Sequence, residues 1–140
     1  MLCTVCTDYK RFRLKVDDAR RIRTNIERLM PSTPVDTSVT NGNELRAYFT
    51  ETQNVHFKCG HCMKANKNEL LMEEAKITQL ILTFFAYVKT SKPSEVDTYT
   101  DMYYVILRNL RGDYPKTAHN VEQYWFKCVK ELKEGKSPEN

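Results

Sequence analysis

Two cysteine pairs, Cys3-Thr-Val-Cys6 and Cys59-Gly-His-Cys62, constrain this chain more than any other feature, because they ask two distant segments to meet. Two-residue spacing lets both thiolates of one pair reach the same metal from a tight turn. Two such turns complete the tetrahedron that zinc favours in structural sites. Gly60 supplies a small residue where the second turn folds toward the metal. His56 and His61 flank that turn as spare donors, so a set in which one of them replaces a cysteine stays open. The expected cofactor is one structural zinc ion on Cys3, Cys6, Cys59 and Cys62. Four protein ligands leave no coordination position for water, so the same reading expects no zinc catalysis. A two-zinc module needs about eight ligands. Beyond the four paired cysteines the chain offers only Cys128 and three histidines. The alternative reading of Cys59 and Cys62 is a thiol-disulfide oxidoreductase. That chemistry expects its CxxC between a strand and a helix in a parallel-sheet context, and no such sheet is evident.

Length and composition set the frame. The chain has 140 residues, 41% hydrophobic and 29% charged, which fits one globular domain over 1–140. Within it, residues 1–65 read as a zinc-binding basic part and 66–140 as a helical bundle. Five cysteines, four of them in CxxC pairs, suit metal binding in a reducing compartment better than a disulfide scaffold. No basic start followed by an apolar run is visible at the N-terminus. The longest apolar stretch, residues 77–88, is too short for a bilayer, which needs roughly 20 apolar residues. The expectation is therefore an intracellular protein of nucleus or cytoplasm, with no membrane partner.

The fold class expected is mainly α: an N-terminal zinc knuckle with room for short strands, packed on a C-terminal three-helix bundle. Asp17-Asp18 reads as a helix start, with Ala19, Ile22, Ile26 and Leu29 forming an apolar stripe to about Met30. Residues 31–42, rich in Pro, Ser, Thr and Asn, read as a surface loop. Asn43 is a cap candidate for a short helix over 44–51. Residues 66–89 read as a long helix, apolar almost all round from Leu80 to Val88, as in a buried central helix. Ser94 and Asn120 are the expected starts of the next two helices. Strands fit only near the metal, over 11–15 and 55–58. This order, CxxC, helix, CxxC, long helix, resembles over residues 3–89 the zinc-finger-associated domains of insect transcription factors, and the resemblance implies zinc. Thr4 stands where those domains usually carry Arg, and no function is carried over.

Two surfaces are candidates for binding. The net charge of +4 lies wholly in residues 1–70, which hold 12 Lys+Arg against 8 Asp+Glu. Lys10, Arg11, Arg13, Lys15, Arg20, Arg21 and Arg23, interleaved with Tyr9 and Phe12, suit contact with the phosphates and bases of DNA or RNA. The bland reading of the same residues is a solvated helix face. Tyr103, Tyr104, Tyr124 and Trp125 belong to a dense aromatic group. Most such residues pack in cores, but neighbours in sequence cannot all face one way, so some are expected at a surface that captures a protein or a second copy. No catalytic residue is expected. The chain lacks a nucleophile triad signature, a phosphate-binding Gly loop and a dinucleotide fingerprint. Adjacent carboxylates such as Glu73 and Glu74 point apart on a helix. The function expected is a non-catalytic, zinc-stabilised regulatory protein that contacts nucleic acid or a nucleic-acid-associated complex. The rival is a protein-interaction adaptor, cellular or viral and host-modulating, working through the aromatic helices or a homodimer.

Overall fold

The computed structural model describes residues 7–40 and 60–134, with side chains described over 13–40 and 67–134. Four helices make up the body: α1, Thr7–Glu27; α2, Gly60–Thr90; α3, Val96–Arg111; and α4, Pro115–Lys133. The mainly helical class expected from the sequence is what the described residues form. The zinc knuckle, the 44–51 helix and the 55–58 strand lie outside them.

α1 begins about ten residues earlier than its apolar stripe announces. Residues 11–15, read as a strand, are helical. Their short alternation of basic and apolar residues is compatible with either period. What decides is Val16, which is fully buried and extends the stripe of Ala19, Ile22 and Ile26 by one turn. After α1 the chain makes a single 3-10 turn over Thr37–Val39, with the Asp36 carboxylate accepting from the Ser38 amide at 2.9 Å.

α2 is the axis of the fold. It spans 31 residues, about 46 Å, and runs unbroken across positions 65 and 66. Ile81, Phe84, Phe85, Ala86 and Val88 are all 1% exposed or less, as the all-round apolar run predicts. Phe84 meets Tyr99 and Trp125, and Phe85 packs on Tyr124 at 4.6 Å between ring centroids. Burying each such ring contributes roughly 1.5–3 kcal/mol.

Punctuation sets the remaining ends. Pro93 stops α2 and holds Lys92 extended, and the Glu95 carboxylate accepts from the Lys92 amide at 2.9 Å. The chain then enters α3 through a 3-10 turn at Pro93–Glu95. α4 starts at Pro115, five residues before the expected cap at Asn120. Proline is pre-organised for the first helical position and has no amide hydrogen to leave unpaired. His119, the residue before that expected cap, thus lies within α4.

Contacts fix the directions. Tyr99 lies beside Phe84 and Tyr114 reaches Glu74, so α3 runs antiparallel to α2. Tyr114 at the start and Tyr124 beside Phe85 make α4 parallel to α2. Asn25 of α1 bonds Asn109 of α3 at 2.9 Å. One apolar core joins all four helices, from Val16 and Ile26 through Leu70 and Ile81 to Leu110 and Trp125. Among the described residues, no helix is long and apolar enough to cross a membrane.

Candidate functional site

The seam between α1 and α2 is the first candidate. The two helices run parallel. Arg13 meets Glu69, Arg23 meets Glu73, Tyr87 donates to the carbonyls of Pro31 and Thr33, and Lys89 donates to the Val39 carbonyl. Ascending along one segment ascends along the other. Helices that run parallel have their N-termini at the same end, here Thr7 and Gly60. Upstream of Glu74, which the Tyr114 hydroxyl reaches, α2 continues for about 20 Å, and Glu69 and Glu73 in that stretch meet α1.

A ladder of ion pairs lines this seam. Glu69 accepts from Arg13 at 2.5 Å and from Arg20 at 2.6 Å. Glu73 accepts from Arg23 at 2.7 Å, with Arg20 at 3.7 Å and Lys76 at 3.8 Å. The two carboxylates differ in setting: the Glu69 side chain keeps 36% of its exposure and that of Glu73 only 6%. Hydrogen bonds from Arg13, then Arg20, hold the Glu69 carboxyl below its ordinary range. Reciprocally, the bond to Glu69 raises Arg20.

The basic residues named from the sequence therefore divide. Arg13, Arg20 and Arg23 are bound to α2 carboxylates. Lys15 and Arg21 are exposed, with Arg21 3.3 Å from Asp18. Lys10 and Arg11 lie on the helical backbone of α1, and their side chains are outside the described residues. Glu69 was not singled out in the sequence, and Glu73 was named only as half of an adjacent carboxylate pair. Their spacing of four on one helix, against arginines at compatible spacing on another, was the available signal.

Cys3, Cys6, Cys59 and His56 lie outside the described residues. His61 and Cys62 sit in the first turn of α2, with side chains outside them. Among the described residues, no group of three or more His, Cys, Asp or Glu side chains is arranged to hold a metal ion.

The aromatic candidates also divide. Tyr103, Tyr124 and Trp125 are buried, and Tyr103 stacks on Trp125 at 4.4 Å with 7° between the ring planes. Burial pushes the Tyr103 hydroxyl well above its ordinary range, with the Glu122 charge adding to the effect. Tyr104 is exposed, and so is Phe126, at 59% and 58%. Phe126 takes the surface place that sequence reasoning gave to Trp125.

The adjacent carboxylates Glu73 and Glu74 face different elements. Glu73 turns to Arg23 on α1, whereas Glu74, 2% exposed, accepts from the Tyr114 hydroxyl at 2.6 Å. The adjacent carboxylates serve separate contacts, as their helical positions predict. A shallow groove of about 210 Å³ at the α3–α4 turn is lined by Leu107, Arg111, Pro115, Ala118, His119 and Glu122. No serine, threonine, cysteine or lysine is among its lining residues. No family model, curated protein or solved structure matches the chain.

Proposed function

We propose that this chain is a non-catalytic binding protein whose parallel helix pair is joined at its N-terminal end by one zinc ion on Cys3, Cys6, Cys59 and Cys62. The observation that carries the reading is the register of α1 against α2. Ion pairs across the seam join residues 49 to 56 positions apart. Cys3 and Cys59, like Cys6 and Cys62, are 56 positions apart, at the upper edge of that range. Cys6 immediately precedes α1, Cys59 immediately precedes α2, and Cys62 falls in the first turn of α2. The reading takes the two CxxC segments to meet at the end where α1 and α2 both start. Four thiols in two such pairs are a donor set suited to zinc, with His56 or His61 as substitutes. Bound there, the ion supplies structure: it ties the starts of α1 and α2 together.

Partner contact then falls to two surfaces. Protein capture through the exposed aromatics of α3 and α4 is the reading the geometry favours. Arg13, Arg20 and Arg23 are already bound to carboxylates, which leaves less free positive charge for nucleic acid. The nucleic-acid reading keeps Lys10, Arg11, Lys15 and Arg21. Its signature is binding to DNA or RNA that weakens steeply as salt rises.

The test is elemental mass spectrometry of the purified chain beside a Cys3→Ser/Cys6→Ser variant. About one zinc per chain, lost in the variant together with thermal stability, supports the reading. A metal-free chain with Cys59 and Cys62 titrating as a reversible disulfide overturns it in favour of thiol-disulfide exchange.

A further inference from the structure

α3 carries two stripes. One, through Tyr103, Ile106 and Leu110, is buried in the core. The other points away from it and reads Asp97, Asp101, Tyr104, Arg108, Arg111, at intervals of four, three, four and three. All five residues are exposed. This is heptad spacing, the period at which one helix face stays turned toward a partner helix.

Phe126 of α4 lies on the same side. α3 and α4 are antiparallel, and Tyr103 and Trp125 face each other across them. In two antiparallel right-handed helices, the residue after each member of a facing pair turns to the same side. Tyr104 and Phe126 are those residues. The contact between Arg111 and Glu122 at 3.6 Å, on the same flank, agrees.

We propose that this face binds a second copy of the chain, in a two-fold contact with the α3 helices antiparallel and centred on Tyr104. The charges reverse sign about Tyr104: two acids on one side, two arginines on the other. A two-fold axis through Tyr104 sets Asp101 against the second copy's Arg108 and Asp97 against its Arg111. The parallel arrangement sets acid on acid and base on base. Tyr104 and Phe126 supply the apolar centre that such a contact requires.

The alternative account of the charges is the helix dipole, which favours acids in the first turn and bases in the last. It covers Asp97, Arg108 and Arg111. It covers neither Asp101, one turn further in, nor two exposed aromatic rings side by side. Asp97 and Asp101, like Arg108 and Arg111, are also like charges at repelling helical distances. Among the described residues no ion pair engages Asp97, Asp101 or Arg108, and Arg111 stays 61% exposed beside Glu122. A second copy neutralises both repulsions.

The inference takes the interaction reading of α3 and α4 given above and names its occupant; the metal plays no part in it. The test is sedimentation velocity of the full chain from micromolar to millimolar concentration. Wild type is expected to move toward twice its 16.5 kDa. Asp101→Arg alone and Arg108→Asp alone each place like charges across the axis, and each is expected to weaken self-association roughly tenfold or more. Mixed together, these two variants are complementary and are expected to pair. That recovery also shows that neither has merely misfolded. A wild type that stays monomeric throughout, single variants that dimerise like wild type, or a mixture that fails to pair overturns the proposal. Zinc content measured on the same samples separates the two readings. A zinc-loaded monomer defeats only the dimer, and a metal-free dimer defeats only the zinc site.

Discussion

The guanidinium of Arg23 and the carboxylate of Glu73 meet at 2.7 Å across the α1–α2 seam, where Glu73 has lost nearly all of its contact with water. One turn away, Glu69 makes two bonds of similar length but keeps 36% exposure. The ladder thus contains a buried and a half-exposed rung of the same chemistry. Their costs on removal differ because a buried charge that loses its partner cannot be solvated instead.

Glu73→Ala is expected to destabilise the fold by about 2–4 kcal/mol, mostly by leaving the half-buried Arg23 without its carboxylate. Glu69→Ala is expected to cost about 1 kcal/mol or less, as exposed ion pairs do. Urea unfolding of both variants measures the difference. Equal losses would show that burial does not set the energetics of this seam.

Acid should loosen the same seam through Glu69. Its folded carboxyl titrates below its ordinary value of 4.5, chiefly because of the Arg13 hydrogen bond. A carboxyl with a lowered folded pKa contributes stability that is fully present above the unfolded pKa and is lost as pH falls through the folded one. Melting temperature is therefore expected to fall as pH drops below about 4.5, and Glu69→Gln should flatten part of that fall. Arg20, raised by the same contact, stays charged throughout this window. Parallel melting curves against pH for wild type and variant would remove Glu69 from the account.

Some of this was legible in the sequence and some was not, for identifiable reasons. The all-round apolar run from Leu80 to Val88 read as a buried helix, and it is one, because α1, α3 and α4 all close on it. The stripe of α1 was read from spacing alone. Helix starts were placed too late at Asp17 and Asn120. Residues 11–15 alternate at a strand's period as readily as a helix's, and the start of α4 has only Ala118 as an apolar side chain between Pro115 and Val121. The role of Arg13, Arg20 and Arg23 was hinted at only by the matching spacing of Glu69 and Glu73. Their partners lie about 50 residues away, and only the parallel packing of α2 brings them together.

Tyr114→Phe tests the polar contact that locks the α3–α4 turn to α2. The Tyr114 hydroxyl donates to Glu74 at 2.6 Å, with the two residues 4% and 2% exposed. The ring is retained in phenylalanine, so packing changes little. The carboxylate oxygen loses a donor in a place water does not reach. The expected cost is about 1–3 kcal/mol, the penalty for an under-satisfied buried group. A neutral substitution, measured by chemical denaturation, would show that the bond is matched by solvent in the unfolded chain.

Trp125 and Phe126 are neighbours in sequence with opposite duties, and a pair of substitutions separates them. Trp125 stacks on Tyr103 and lies 6.1 Å from Phe84, ring to ring, with 5% exposure. Trp125→Ala leaves a cavity at the meeting point of α2, α3 and α4 and is expected to cost about 3–5 kcal/mol. Phe126 is 58% exposed, so Phe126→Ser is expected to change monomer stability by about 0.5 kcal/mol or less. Thermal melts at low concentration, where any self-association is diluted away, compare the two without interference from the interface. A large loss for Phe126→Ser under those conditions would mean that its ring packs inward in solution. The Tyr104–Phe126 face would then lose its standing as a contact surface.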